Sequence, residues 1–277
     1  MSNLQEVKAQ VLDKVEEKVE KLQREDSLDL PKNYSANNAL KQAWLELQAT
    51  KDKNGKPVLE ACSKTSVYNA MLDTVVQGLN PGKDQVYYIA YGKTLTAQRS
   101  YFGNMALAKR VANVKEVHAA AVYEGDEVEV RVENGRQVVA EHDQNFANID
   151  DDKIVGAYAV VDFEDERPDR YVIMNIEELR QAWRQGKSYK KGGKGPHSRF
   201  TGEMSKKTVI NRALKPLING SSDDHLFLSS NRSAVDRAAE EREEEIEEAE
   251  DEVIDIAAEG EDTEEEKEES SLFAGQR

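Results

Sequence analysis

The chain has 277 residues, with 38 Lys+Arg against 54 Asp+Glu, a single cysteine and a formal net charge of −16. That length suffices for one large domain with extensions or for two small ones, and 38% hydrophobic beside 33% charged residues assigns part of it to solvated extension. One cysteine, Cys62, excludes an intrachain disulfide framework and a multi-cysteine zinc site; no apolar run nears the ~20 residues that span a bilayer, and no signal-peptide apolar core opens the chain. A cytoplasmic compartment is the expectation.

The first elements read as helices. Val7, Val11, Val15, Val19 and Leu22 recur at helical spacing among Glu and Lys, so residues 1–30 form an amphipathic N-terminal segment. Its apolar stripe is narrow, which suits a subunit contact or the edge of the body. After Pro31, Ser35 caps a helix with Ala39, Leu40, Ala43, Trp44 and Leu47 on one face, and residues 50–57 are a turn-rich loop. Ser63 opens a third helix through Val67, Ala70, Met71 and Val75 that stops at Gly78.

Strands follow. Segments 85–91 and 94–98 flank Gly92-Lys93 as a hairpin, and 100–113 returns to helical spacing through Tyr101, Met105, Ala108 and Ala112. Segments 116–123, 127–133 and 136–142 are broken at 124–126 and at Asn134-Gly135, a type I′ turn signal. Strands 154–163 and 170–174 enclose a turn at 164–169. Asn175 and Glu178 then form a capping box for a helix running to Gly186. A Gly/Lys-rich loop at 187–197 leads to a last helix at about 203–217. These elements predict an α+β fold: a central, largely antiparallel sheet flanked by N- and C-terminal helices, with residues 31–230 as the body. Residues 231–277 are low-complexity and acidic, and read as a disordered tail.

The charge is segregated. Residues 236–277 hold 20 of the 54 acids and 4 of the 38 bases, so residues 1–235 carry 34 of each and are neutral. Within that body, 93–115 contains five bases and no acid, and 187–215 contains nine bases and one acid. Between them, 116–186 carries 18 acids against seven bases. Two basic blocks of this length favour a polyanionic partner.

Catalytic chemistry finds little support. Gly92-Lys93-Thr94 and Gly186-Lys187-Ser188 resemble the end of a phosphate-binding loop, but the motif needs a glycine five residues earlier, where Tyr87 and Gln181 stand. The histidines His118, His142, His197 and His225 show no ligand spacing with one another or with Cys62, so no metal centre is expected. Asp150, Asp151 and Asp152 suit a hard cation, although an acidic loop before a strand explains them as well.

The basic segments suit a single strand. Residues 78–110 interleave Tyr87, Tyr88, Tyr91, Tyr101 and Phe102 with Lys93, Arg99, Lys109 and Arg110, pairing faces that stack on bases with cations that neutralise phosphates. Filling the strand's core face would remove one of Tyr87 and Tyr88, and helix packing one of Tyr101 and Phe102. On the last helix, Lys207, Asn211 and Lys215 succeed one another at four-residue steps with Arg212 beside them, a row that matches a phosphate track.

Residues 78–110, then Gly156-Ala157-Tyr158-Ala159, then Met204-Ser205-Lys206-Lys207-Thr208 with its basic helix, resemble in order and spacing the RecT/Red-beta family of phage single-strand annealing proteins, in its RecT branch. The resemblance covers about residues 35–217. It implies a protein that coats single-stranded DNA and anneals it to a complement without ATP, as a ring or helical filament, beside a phage exonuclease and a host single-strand binding protein. It implies no required cofactor, with Mg²⁺ at most a modulator of DNA binding. By carry-over, Arg99, Lys109, Arg110, Lys206, Lys207, Arg212 and Lys215 line the DNA site. Charge and position add Lys93, Tyr101, Lys187, Lys190, Lys191, Arg199 and Asn211. The alternatives are a passive single-strand protector that does not pair strands, and a nuclease using Asp150–Asp152. The tail could compete with DNA for the basic surface, recruit a partner through Leu272-Phe273, or only maintain solubility.

Overall fold

The computed structural model of the chain describes residues 2–184 and 195–221. Lys187, Lys190 and Lys191 of the Gly/Lys loop and the acidic tail lie outside the described residues. The described residues divide into two compact units, one built from 2–119, 159–172 and 210–221, the other from 120–158, 173–184 and 195–209. No helix among them is long and apolar enough to cross a membrane.

In the first unit the elements are α1 (Ser2–Arg24), α2 (Ala36–Ala49), α3 (Val58–Ala61), α4 (Lys64–Val76), β1 (Val86–Tyr91), β2 (Thr94–Arg99) and α5 (Tyr101–Val111). Ser35, Ser63 and Ser100 each accept a hydrogen bond from the backbone N–H three residues on, which fixes where α2, α4 and α5 begin. One core holds the apolar faces together: Val11 and Val15 of α1, Leu40 and Leu47 of α2, Val58, Met71 and Val75, with Val86 and Leu95 from the hairpin. The stripe on α1 is therefore buried within its own chain, against α4 and α2, rather than left for another subunit. Each fully buried Leu or Met contributes about 1.5–3 kcal/mol, which outweighs the weak intrinsic preference of so polar a helix.

Strands β1 and β2 pair antiparallel from Val86↔Arg99 to Tyr91↔Thr94, around Gly92 at φ +63°. Two hydrogen bonds tie this hairpin to α4: Ser63 N donates to the Lys93 carbonyl at 2.8 Å, and Leu95 N donates to Ser66 Oγ at 3.0 Å. Where α5 follows the hairpin, Gly103 sits so close to the Gln85 carbonyl that a Cβ there would lie 2.1 Å from its oxygen.

The remaining elements are β3 (Val114–Tyr123), β4 (Glu127–Glu133), β5 (Arg136–Asp143), β6 (Ile154–Phe163), β7 (Arg170–Asn175), α6 (Ile176–Trp183), α7 (Pro196–Arg199) and α8 (Thr201–Asn219); the boundaries between the units fall inside β3, β6, β7 and α8. The fold is α+β with antiparallel pairing, as the sequence predicts, but the strands do not merge into one central sheet. Among the described residues they form two hairpins, β1-β2 and β4-β5, and a three-stranded sheet of order β3-β6-β7. The reason lies in β4 and β5: Glu and Arg alternate with exposed Val130 and Val132, so neither face can be buried as a central strand requires. Asn134 and Gly135 both adopt positive φ, closing the β4-β5 turn that the dipeptide signals.

In the second unit a polar cluster holds the base of that hairpin. The Asp126 carboxylate is fully enclosed and accepts hydrogen bonds from Tyr123 N (2.9 Å), Gln144 Nε2 (2.9 Å) and Asn148 Nδ2 (3.3 Å). It also meets His142 Nε2 at 3.3 Å, and His142 Nδ1 lies 3.0 Å from the Tyr158 hydroxyl. Enclosure alone would raise this carboxyl's pKa, but the converging donors outweigh it and hold it at about 2. The predicted capping box of Asn175 and Glu178 is present at α6.

Candidate nucleic-acid interface

The basic side chains singled out by sequence serve three different ends. Arg99 closes β2, where its Nη1 donates to Gln77 Oε1 at 3.2 Å and its charge faces the Asp73 carboxyl. Arg110 on α5 lies over the backbone of Gly78, where a Cβ would stand 2.1 Å from its Nη1. These two guanidiniums contribute to the packing of the first unit itself. Lys93, at the hairpin turn, and Lys109, on α5, project into solvent instead.

In the same unit, α5 and the C-terminal half of α8 meet through amide groups: Asn104 Nδ2 donates to Asn211 Oδ1 at 3.0 Å. The bond fixes the register of α8 against α5 and presents Arg212, exposed, beside Asn211. Lys215, one turn further on, has its pKa lowered by burial and then by the nearby charge of Arg99. Ala213 and Leu214 on the opposite side of α8 are buried and anchor the helix.

In the second unit, the N-terminal half of α8 begins at an internal cap. Gly202 N donates to Asp151 Oδ2 at 3.1 Å, and a Cβ on Gly202 would lie 2.8 Å from that carboxylate's other oxygen. Lys206 pairs with Glu203, and Lys207 is half-buried one turn before Asn211. Arg199 lies 5.5 Å over the Phe200 ring. Behind them Trp183 is buried, its Nε1 donating to Thr208 Oγ1 at 2.8 Å, with the His197 ring 4.9 Å from its own.

The aromatic residues divide as packing requires. Tyr88 is buried, its hydroxyl 2.9 Å from Thr74 Oγ1, which removes it from any base-stacking surface. Tyr87 is half-buried on the other face of β1. On α5, Tyr101 is half-buried while Phe102, 43% exposed, keeps its ring 4.0 Å from that of Tyr101. Phe102 is the more open stacking face, although the sequence reading selected Tyr101.

The acidic triplet has local structural roles. Asp150 accepts from Asp152 N at 3.1 Å and pairs with Lys153 at 3.4 Å, while Asp151 caps α8. Gly92-Lys93-Thr94 sits in a hairpin turn, which cannot wrap a triphosphate as a strand-to-helix loop does.

No curated protein matches the chain. A family model does: the one described as the RecT family matches residues 37–254, more than three quarters of the sequence, and spans both units and the whole of α8. The chain therefore belongs to the RecT family, the DNA-binding, single-strand annealing proteins typical of phage recombination.

Proposed function

We propose that this protein binds single-stranded DNA by its phosphates and anneals it to a complementary strand without nucleotide hydrolysis, working as an oligomer. The observation that carries the reading is the row of Lys207, Asn211, Arg212 and Lys215 along α8, in a chain whose family anneals single strands. An annealer must hold one strand and leave its pairing edges open. Cations spaced along a helix grip phosphates without reading sequence, which meets the first need. Exposed Lys93 and Lys109 extend the positive surface of the first unit, and Phe102 offers one ring face rather than a clamp of two, so that a base can rest and leave.

Pairing then supplies its own drive, roughly 1.4 kcal/mol per base-pair step. The protein needs only to raise the encounter rate and hold many nucleotides in order, which is why several subunits side by side are required. No step in this account uses a bound nucleotide or a metal, and Mg²⁺ enters as a competitor for phosphates. In such an account an exonuclease that exposes single strands is the natural supplier of substrate.

The test uses two complementary oligonucleotides carrying a donor and an acceptor dye, one preincubated with protein in nucleotide-free buffer. Pairing faster than in buffer alone supports the proposal. Binding that slows pairing would make the protein a protector of single strands and overturn the annealing role.

A further inference from the structure

We infer that Glu116, His118 and Asp162 form a binding site for one divalent transition-metal ion, with Zn²⁺ and Mn²⁺ as the fitting class. The inference is independent of the DNA reading, because none of the three belongs to the basic surface. Glu116 and His118 stand two apart on β3, so they share one face of the strand, and Asp162 lies on the neighbouring strand β6. The sequence conceals the set: one donor pair is a plain Glu-x-His on an acidic strand, and the third donor arrives 44 residues after His118.

The spacing is what coordination asks for. His118 Nε2 is 3.1 Å from Glu116 Oε2 and 3.5 Å from Asp162 Oδ2. One donor atom from each residue lies within 4.8 Å of the other two. Donors bound at about 2.1 Å and separated by octahedral or tetrahedral angles sit about 3.0–3.4 Å apart. The two His118 distances lie at and just above that range, so an ion could enter from the solvent side with small side-chain adjustments, since Glu116 and His118 are exposed.

Donor chemistry selects the ion. One imidazole with two carboxylates is a mixed nitrogen–oxygen set, which favours Zn²⁺, Mn²⁺ and their neighbours over Mg²⁺ and Ca²⁺, whose protein ligands are oxygens. The two carboxylate charges match a divalent cation. Three protein donors leave positions open to water, the arrangement of an exchangeable site rather than a closed structural one.

The experiment must separate this site from the tail, whose many carboxylates also attract cations. Calorimetric titration of the untagged full chain with Zn²⁺, repeated with Mn²⁺, at about 0.3 M salt should show one saturable site per chain above a weak, salt-sensitive background. His118→Gln and Asp162→Asn should each weaken that site at least tenfold and leave the background. Glu124→Gln, which removes an exposed carboxylate at the turn after β3, should change neither, and far-UV circular dichroism checks that every variant is folded. A titration with no saturable site would overturn the inference, as would a site of equal affinity in His118→Gln.

Discussion

Replacing Arg99 by Ala should damage the fold, whereas replacing Lys109 by Ala should damage only DNA binding, although sequence alone treats both as phosphate contacts. Burial raises the Asp73 carboxyl, and the hydrogen bond from Gln77 and the Arg99 charge pull it back. Breaking a buried pair from one side costs about 3–5 kcal/mol. Arg99 and Asp73 are mostly buried but interact through charge at longer range than a close ion pair, which reduces the cost to about 2 kcal/mol. For a chain of this size that lowers the melting temperature by about 4–8 °C. Asp73→Asn combined with Arg99→Gln should recover much of the loss, since no charge is then left unpaired. Lys109→Ala, at an exposed position, should shift stability by no more than about 0.5 kcal/mol. It should instead lower the slope of log affinity against log salt by ~0.7 on single-stranded DNA, one phosphate contact's worth. Thermal melts and salt titrations on the same preparations separate the two effects. An Arg99→Ala variant that melts with the unsubstituted protein while losing salt slope would refute this assignment.

Three further expectations concern the units themselves. Glu46, half-buried on α2, has its pKa raised to about 7 by burial and then by Asp84, so its contribution to stability is fully present below pH 4.5 and is lost as pH rises through 7. Denaturant unfolding at pH 5 and pH 8 should show the chain less stable at pH 8, by at most about 2 kcal/mol after screening, and Glu46→Gln should remove that difference. Gly103→Ala forces α5 away from the Gln85 carbonyl and should cost about 1–3 kcal/mol in the same assay, with weaker DNA binding because Lys109 moves with the helix. Asp126→Ala leaves the donors of Gln144, Asn148 and Tyr123 unanswered; it should cost about 2–3 kcal/mol, and hydrogen exchange should rise first in β4 and β5.

Much of the fold is legible because its signals are local. Ser35, Ser63, Ser100 and the Asn175–Glu178 box mark helix starts with side chains that bind their own backbone. Gly92 and Asn134-Gly135 mark turns by permitting positive φ. What the sequence conceals is partnership at a distance. Nothing near Arg99 in sequence indicates that Asp73 and Gln77 hold it, so its charge reads as available when it is engaged. The narrow stripe on α1 reads as an edge or a subunit contact because its receptor, the faces of α2 and α4, lies tens of residues away. Tyr88 and Tyr87 are adjacent, and only the pairing of β1 with β2 over Thr74 decides which is core. The four-residue step of Lys207, Asn211 and Lys215 is itself a property of a helix, so their sharing one side of α8 is legible from the sequence.

The most direct test of the DNA account compares two charge reversals of equal size. Lys207→Glu with Lys215→Glu alters the α8 row, while Lys8→Glu with Lys14→Glu places the same four-unit change on the exposed side of α1. Dye-reported annealing is measured for both in nucleotide-free buffer, from low to moderate salt. The account predicts that the α8 pair abolishes annealing and flattens the salt dependence of binding, while the α1 pair keeps most of both. Equal loss in the two variants, or annealing retained in the α8 pair, would contradict a phosphate track on that helix.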